Sequence, residues 1–512
     1  MNPIATVNDS KTSPIPVIAQ STGQTVIDAS ENVSDVPTAS PDGRPTRTET
    51  DSLGSREIPA DAYWGVHTSR ALENFPIAKR PISVYPDLIV ALASVKQAAA
   101  RANLEIGVLE QHKADLIDRA CQLIIDGGYH DQFVVGVMQG GAGTSTNMNA
   151  NEVIANLALE LDGREKGDYA HMHPIDDVNR SQSTNDTYPT AIKIGLTFSL
   201  AHLLDELALL RDSFARKAEE FRNILKVGRT QLQDAVPMTL GQEFGGYAAC
   251  LDRGADDVVR AAEQLKEMNL GATAVGTGLN AGEEFSGRVV KYLGTSIDIE
   301  LVTAGNHFRV TQSMGDVLAY SGAMRRLAIE LGKVASDLRL LSMGPRAGLG
   351  EIALPAVQPG SSIMPGKVNP SVPEMVNQVC FQVVGCDTTV CMAAEAGQLE
   401  LNVMMPVIAW NTLHASTILR NAMRALKTRT VDGITADEKR TRELLERSTA
   451  LATALSPYIG YEKTADIAKE SVATGKPIRT IVLERGLIEE HELDRILSVE
   501  AMTRPGIPGG KR

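Results

Sequence analysis

Long runs of apolar residues, spaced alternately by three and four positions, constrain this fold more than any other feature of the sequence. The first run consists of Leu196, Leu200, Leu203, Leu207, Leu210 and Phe214. A second run of the same kind extends from Val310 to Leu338. This spacing is typical of a heptad seam and predicts α-helices. A helix of some thirty residues is about 45 Å long, which is more than a small single domain can cover.

Three further stretches, 240–268, 371–397 and 405–427, have helical patterns and bring the predicted long helices to five. Small residues in the first of these stretches predict close approach between helices; they are Gly245, Gly246, Ala248 and Ala249. One chain has difficulty burying both sides of such rods. We therefore expect other copies of the chain to complete the bundle.

The remaining sequence divides around this bundle. The first residues are rich in Ser, Thr, Pro and Asp and lack helical or strand spacing, which predicts disorder. The predicted division is a disordered N-terminal extension at 1–48, an N-terminal helical domain at 49–180, a central five-helix bundle domain at 181–436 and a small C-terminal helical domain at 437–512. Within these domains, we predict shorter helices at 86–126 and 148–161, irregular structure at 223–239 and 269–307, and three or four short helices after 436.

The charge balance and the termini exclude several classes of partner. The chain has 50 Lys plus Arg against 63 Asp plus Glu, and its net charge of -13 disfavours nucleic acid. It has no uncharged apolar stretch of about 18 residues, the length that a membrane span needs. The first residues lack the features of a signal peptide, and the five cysteines form no CxxC pair. These features predict a cytoplasmic protein.

Four polar stretches are candidates for the functional site. They are GGAGTSTNMNANE (140–152), NRSQSTNDTYPT (179–190), GRTQLQDAVP (228–237) and GSSIMPGKVNP (360–370). Their Ser, Thr, Asn and Gln side chains are neutral hydrogen-bond donors, which suit a small polyanionic substrate. Helix capping would use the same residue types. Because a helix N-terminus also binds anions, the two interpretations overlap.

Nucleotide and metal sites are not predicted. The last stretch spaces its glycines by five residues rather than four, and it has Val368 where a P-loop has Ser or Thr. His171 and His173 lie near two acidic residues, but this pattern is more typical of surface histidines than of a metal site.

Together, in the same chain order, the four stretches resemble the signature segments of the aspartase and fumarase superfamily. The resemblance extends over about residues 49–500. It implies a mainly α fold of three domains, in which the central domain contributes five long helices to the twenty-helix core of a homotetramer. It also implies active sites shared between three subunits and a small dicarboxylate substrate that loses a group to leave fumarate.

The resemblance assigns roles to individual residues. Ser361 matches the catalytic base, which removes a proton next to a carboxylate and so produces an enediolate that needs fixed donors. The matched substrate-binding positions are Thr144, Ser183, Thr184 and Ser362 for the enediolate, Asn185 and Thr230 near the leaving group, and Lys367, Asn369 and Arg70 for carboxylate binding. No metal ligand and no organic cofactor are expected, and activation by a divalent cation is left open.

Gln231 distinguishes between family members. Fumarases of this type have His after the Thr of GRT, whereas a Gln cannot relay a proton at neutral pH but can orient an ammonium group. We therefore expect elimination of ammonia from L-aspartate, with Ser361 removing the C3 proton. Hydration of fumarate and a catalytically inactive helical scaffold are the alternatives. In the stretch HPIDDVN, Asp177 makes the sequence similar to that of fumarases. Ile175, however, replaces the polar residue that is usual at this position, where the family has a secondary anion site.

Overall fold

Helices dominate residues 45–510, the part of the chain that the computed structural model describes. The N-terminal helices are α1 Val66–Asn74, α2 Pro86–Ile106, α3 Gln111–Ile125 and α4 Thr144–Leu161. The central helices are α5 Thr184–Glu220, α6 Leu240–Ala262, α7 Phe285–Ile297, α8 His307–Gln312, α9 Gly315–Leu341, α10 Ser371–Glu395 and α11 Met405–Arg429. The C-terminal helices are α12 Glu438–Arg447, α13 Ala450–Ile459, α14 Tyr461–Thr474, α15 Ile478–Glu484, α16 Glu490–Ile496 and α17 Val499–Met502. The mainly helical fold class is confirmed.

The strands of the described residues form four small pairs. These are β1 Thr46–Asp51 with β2 Gly54–Pro59, β3 Leu225–Thr230 with β4 Gln233–Thr239, β5 Glu267–Met268 with β6 Val302–Thr303, and β7 Ile352–Ala353 with β8 Thr435–Ala436. Only the pair β5 and β6 is parallel. Among the same residues, no helix has both the length and the apolar character needed to cross a bilayer.

The five predicted long helices are confirmed as α5, α6, α9, α10 and α11. Helix α5 has 37 residues and is therefore about 55 Å long. The apolar residues of its heptad run, from Leu196 to Phe214, are buried. The second run differs from the prediction, because α8 ends at Gln312 and α9 begins at Gly315. The N-terminal end of that run thus lies in a separate short helix.

Two of the long helices begin at capping boxes. The Ser183 hydroxyl accepts the N–H of Asn185 at 3.2 Å, and the Asp186 carboxylate accepts the N–H of Ser183 at 3.0 Å. Thr239 and Gln242 make the equivalent reciprocal bonds at the start of α6, both at 3.0 Å. These bonds satisfy N–H groups that have no partner within the helix. They fix the residue at which each helix starts.

Glycines set the closest helix contacts in the bundle. At Gly241 of α6, an added Cβ would lie 2.4 Å from the carbonyl oxygen of Ala218 in α5. At Gly254 it would lie 2.7 Å from a methyl group of Leu327 in α9. Gly246 has no atom within 4 Å inside the chain. At Gly245 an added Cβ would lie 3.8 Å from the Ala218 Cβ of α5, an ordinary contact, so α6 approaches its neighbours more closely at Gly241 and Gly254 than at the glycines expected from the sequence.

Two segments that were predicted to be irregular are ordered elements. Residues 225–239 form the hairpin β3–β4, in which Leu225 lies opposite Thr239 and Thr230 opposite Gln233. Helix α7 lies within 269–307, and its buried side chains, Phe285, Val289, Val290 and Leu293, belong to a helix that packs on α2. Burial against α2 stabilises α7, although its two glycines weaken the helical signal in the sequence.

Strand β1 shortens the predicted disordered extension. It begins at Thr46, and the hydroxyls of Thr46 and Thr48 donate to the Glu57 carboxylate at 2.5 and 2.6 Å. Pairing with β2 therefore orders 46–48, which lack apolar residues that would have indicated a strand. Residues 1–44 of the predicted extension lie outside the described residues.

The C-terminal segment has its own apolar cluster. Leu455, Ile467, Ile481 and Leu493 are among its buried members, and Val227 of β3 joins them. The described part of this segment has six short helices instead of the three or four expected. The predicted domain limits stay predictions.

Replacing Gly241 by Ala is expected to destabilise the protein by about 1–3 kcal/mol, because the new methyl group would overlap the Ala218 carbonyl of α5 and the backbone of Arg222 just after it. Thermal unfolding would show this as a lower midpoint. Gly287→Ala in α7 is the matched control, since no atom lies within 4 Å of the position. Its midpoint should stay unchanged or rise, because Ala favours a helix. Equal midpoints for the two variants would contradict the packing described here.

Candidate active site

The four polar stretches lie at opposite ends of the long-helix bundle. Residues 140–152 and 179–190 lie where α4 and α5 begin, whereas hairpin β3–β4 follows the C-terminal end of α5. The 37 residues of α5 separate these ends by about 55 Å. The loop between α9 and α10 lies at the hairpin end, because Glu351 of this loop bonds Arg229 of β3 at 2.9 Å. One chain thus brings the stretches together only in pairs.

The first pair is built around the start of α4 and α5. Gly143 lies against the ring of Tyr188, where an added Cβ would be 2.1 Å from a ring carbon. Asn147 donates its amide N–H to the Thr184 hydroxyl oxygen at 3.1 Å. Because Thr184 accepts this bond, its own proton is available to an anion. The dipole at the start of α5 favours an anion at the same place.

Thr144, Ser183 and Asn185 accompany Thr184 at this end of the bundle. Thr144 is exposed, and its hydroxyl donates to the Gly141 carbonyl at 2.7 Å, so it must rotate to donate to a ligand. Ser183 is the N-cap of α5. The Asn185 amide donates to the carbonyl of Ala274 at 2.8 Å. The structure therefore gathers these polar residues of two sequence stretches near the helix starts, and their roles stay predictions.

A buried polar network, which was not predicted from the sequence, supports this surface. Lys96 of α2 is fully buried and donates to the side-chain oxygens of Asn179 and Gln182 at 2.9 and 3.0 Å. Asn147 and Asn151 donate to the same oxygen of Asn179 at 3.1 and 3.2 Å. Burial lowers the pKa of Lys96 to about 7. A lysine in the largely apolar stretch IVALASVKQAAA was the available signal.

Asp186 fixes a second missed segment, the loop at 269–278. Its buried carboxylate accepts the N–H groups of Gly271 and Thr273 at 3.1 and 2.9 Å, in addition to that of Ser183. Burial raises the pKa of Asp186 to about 6, although these hydrogen bonds oppose the shift. Thr273 has a left-handed φ of 54°. The run GATAVGTG of small residues allows this close packing on α5.

The second pair begins with the tip of hairpin β3–β4, where Thr230 and Gln231 are exposed. Gln231 and Leu232 form the turn and have φ values of 56° and 60°. Two successive non-glycine residues in the left-handed region are unfavourable, since such turns prefer Asn-Gly. Backbone strain of this kind is concentrated at functional sites. The strained tip is therefore independent support for a role of Thr230 and Gln231.

Ser361 has a local environment that favours a negative charge on its oxygen. Its Oγ accepts the backbone N–H groups of Ile363 and Met364 at 3.2 and 3.1 Å. Donors of this kind stabilise a charged form relative to a neutral one. The arrangement therefore favours the alkoxide that a serine needs to act as a base.

The loop around Ser361 closes on itself. The N–H of Gly360 donates to the Lys367 carbonyl at 2.8 Å, and the Asn369 amide donates to the Gly360 carbonyl at 2.7 Å. At Gly360 an added Cβ would lie 2.7 Å from the Lys367 oxygen, so only glycine fits. Ser362 and Lys367 are exposed along the loop. They are thus placed to meet a ligand or another chain.

Arg70 is already engaged within the N-terminal part of the chain. Its guanidinium makes two bonds to the Asp51 carboxylate, at 2.8 and 2.7 Å, and one to the Gly54 carbonyl at 2.9 Å. Binding of a substrate carboxylate would have to compete with Asp51. The role of Arg70 stays a prediction.

Comparisons with known proteins agree with the sequence motifs. A family model described as Lyase matches residues 54–385, and one described as Fumarase C C-terminus matches residues 451–504. The aspartate ammonia-lyase of Pseudomonas canavaninivorans is 52% identical over 463 residues, which are 90% of this chain and 97% of that relative.

Two solved structures extend this agreement to the fold. A fumarate lyase:delta crystallin from Brucella melitensis, bound to cobalt, has a TM-score of 0.88 and 50% identity, and covers 90% of this chain and 100% of its own. A class II fumarase from Schistosoma mansoni has a TM-score of 0.84 and 34% identity, and covers 90% of this chain and 99% of its own.

Asn147→Ala is expected to weaken fumarate binding about tenfold, because loss of its N–H allows the Thr184 proton to turn away from the ligand. Calorimetric titration with fumarate measures this change. Asn156→Ala is the matched control: it is another buried Asn of α4, but it bonds Tyr63 and Tyr169 instead. Equal loss of affinity in both variants would contradict the assignment of Asn147.

Proposed function

This chain belongs to the aspartase and fumarase superfamily, and we propose that it acts as an aspartate ammonia-lyase. It is a carbon–nitrogen lyase that converts L-aspartate to fumarate and ammonia. Two observations support this substrate. The identity is 52% to the ammonia-lyase and 34% to the class II fumarase, and Gln231 stands where fumarases of this type have His.

Ser361 is the proposed base. Its oxygen takes the proton from C3 of L-aspartate, and the electron pair moves onto the neighbouring carboxylate to form an enediolate. The electron pair then returns to form the double bond of fumarate as the bond from C2 to nitrogen breaks. The N–H groups of Ile363 and Met364 stabilise the Ser361 oxygen in its basic form. This is the single observation that most favours catalysis over an inactive scaffold.

The start of α5 is the proposed site for the enediolate. Thr184 donates its free proton, with Ser183, Thr144 and the partner loop's Ser362 as further donors. Fixed donors of this kind stabilise charge that develops only in the transition state. The proposed partners of the other carboxylate are Lys367 and Asn369, with Arg70 as a further candidate once it leaves Asp51.

Thr230, Gln231 and Asn185 are proposed to hold the leaving group. The amide oxygen of Gln231 accepts a hydrogen bond from the ammonium group but does not titrate near neutral pH. It can therefore orient an amine without relaying a proton, which disfavours the hydratase alternative. The chemistry uses proton transfer and elimination, so we expect turnover without an organic cofactor.

We further propose that the active protein is a homotetramer with a twenty-helix core. Thr184 and Thr230 lie at opposite ends of α5 and cannot meet in one chain. The bundle also has large apolar side chains exposed in a single chain, namely Leu209, Ile329, Phe381 and Met392. Partner helices would bury them. Each active site would combine the start of α5, a hairpin β3–β4 and a Ser361 loop from three different subunits.

Cytoplasmic location is proposed on the state of the cysteines. All five are free, which fits a reducing compartment. The substrate, product and charge of the chain give no reason to expect nucleic acid as a partner.

Ser361→Ala is expected to abolish fumarate formation from L-aspartate while the tetramer stays intact. Fumarate absorbs in the ultraviolet, where neither L-aspartate nor L-malate does, so absorbance measures turnover with each substrate. Ser342→Ala is the control, because its hydroxyl only bonds backbone carbonyls near the end of α9. Near-normal activity of Ser361→Ala would exclude it as the base, and faster turnover of L-malate than of L-aspartate would favour the hydratase.

Mixed tetramers test the shared active site. Ser361→Ala and Thr184→Ala subunits should each be inactive alone. When the two are co-expressed and assemble at random, about a quarter of the sites combine two unmodified segments from different chains. We therefore expect about a quarter of normal activity to return. Hybrid tetramers without recovered activity would show that both residues come from the same chain.

A further inference from the structure

A group of four charged side chains, of which Lys226 and Glu351 are buried and Arg229 and Glu243 partly buried, joins hairpin β3–β4 to the stem of the Ser361 loop. Arg229 bonds one oxygen of the Glu351 carboxylate at 2.9 Å. Lys226 lies 3.3 Å from the other oxygen and 2.8 Å from the Glu243 carboxylate of α6. Two cations thus balance two carboxylates, and Glu351 has no exposed surface. We call this group the Glu351 junction.

The backbone of Glu351 is held from two further directions. Its N–H donates to the Leu341 carbonyl at the end of α9, and its carbonyl accepts the N–H of Asp437, both at 2.9 Å. The next two residues form β7, which pairs with β8 at the start of the C-terminal segment. Glu351 is therefore a fixed point where the bundle, the hairpin and the C-terminal segment meet.

The junction lies directly beside the segments that carry the proposed chemistry. Arg229 immediately precedes Thr230, and the chain that leaves Glu351 leads to the exposed loop with Ser361. A buried ion pair is poor evidence for added stability, since apolar side chains of similar volume often stabilise as well. What this pair provides is a defined relative position for two segments that are far apart in the sequence.

We propose that Glu351 is a positioning residue for the reaction. Through Arg229, its carboxylate fixes the hairpin that presents Thr230 and Gln231 relative to the stem of the loop that presents Ser361. This inference rests on the proposed function. Since the hairpin and loop of one chain would serve different active sites, a single junction supports the leaving-group contact in one site and the base in another.

Glu351→Gln tests the proposal, because it keeps the size of the side chain and removes its charge. We expect kcat for L-aspartate to fall about tenfold to a hundredfold, as a displaced base does. KM should change less than kcat, because the donors at the start of α5, at the other end of the bundle, still bind one carboxylate of the substrate while the Ser361 loop is displaced. Asp387→Asn is the matched control: Asp387 is equally buried and bonds Ser321 and Arg325, within the bundle. Its kcat should stay close to normal.

A double-mutant cycle separates positioning from a general loss of structure. If Glu351 acts through Arg229, the double variant Arg229→Gln with Glu351→Gln should lose no more kcat than the worse single variant. Multiplied losses in the double variant would overturn the proposal. If Glu351→Gln does not fold, Glu351→Asp keeps the charge but withdraws it by one methylene group, and it is measured in the same way.

Hydrogen exchange provides a readout that does not depend on the substrate. In Glu351→Gln, backbone exchange should become faster in both 225–239 and 354–370, whereas Asp387→Asn should leave these segments unchanged. Exchange in Glu351→Gln equal to that of the control would overturn the proposal. Absence of L-aspartate turnover in the unmodified protein would instead overturn the proposed function, and the exchange measurement would still decide the role of the junction.

Discussion

The length of α5 is the constraint on which the rest of the structure depends. A rigid helix of 37 residues holds its ends about 55 Å apart. The polar surface at its start and the hairpin after its end are therefore too far apart to contact the same small ligand. The buried run from Leu196 to Phe214 fixes the helix in the bundle. Neither end carries the complete set of polar residues, which is the reason for the proposal that other copies of the chain supply the rest. In the proposed tetramer, assembly and catalysis therefore depend on the same long helices.

Neutral groups face the proposed ligand, whereas several charged groups lie behind them. Thr184 presents a hydroxyl and the Ser361 oxygen accepts two backbone N–H groups, while Lys96 and Glu351 are buried. A buried charge must keep its hydrogen-bond partners, because losing one leaves the charge without compensation. Such groups hold loops in one geometry. The neutral groups that face the ligand can bind and release it without leaving a buried charge uncompensated.

The sequence predicted the features that depend on local pattern. The heptad runs indicated the five long helices, and the four stretches indicated the family. Hairpin β3–β4 was missed because Gly228 and a register shift between Val227 and Arg229 interrupt its alternation. The Glu351 junction could not be predicted, since Arg229 and Glu351 are 122 residues apart and nothing in the sequence indicates that the two form a pair. Such pairs depend on tertiary packing, which no single stretch encodes.

The choice of neutral donors also follows from a reversible reaction. Substrate and product both carry two carboxylates, so a site rich in direct cations would bind the substrate, the intermediate and fumarate alike. Uniform binding of this kind does not accelerate the chemical step. Hydroxyl and N–H donors stabilise the ligand most where its negative charge increases during the reaction, which is at the carboxylate that becomes the enediolate. Lys367 is then the one cation of the Ser361 loop proposed to touch the ligand, and it holds the carboxylate whose charge does not change.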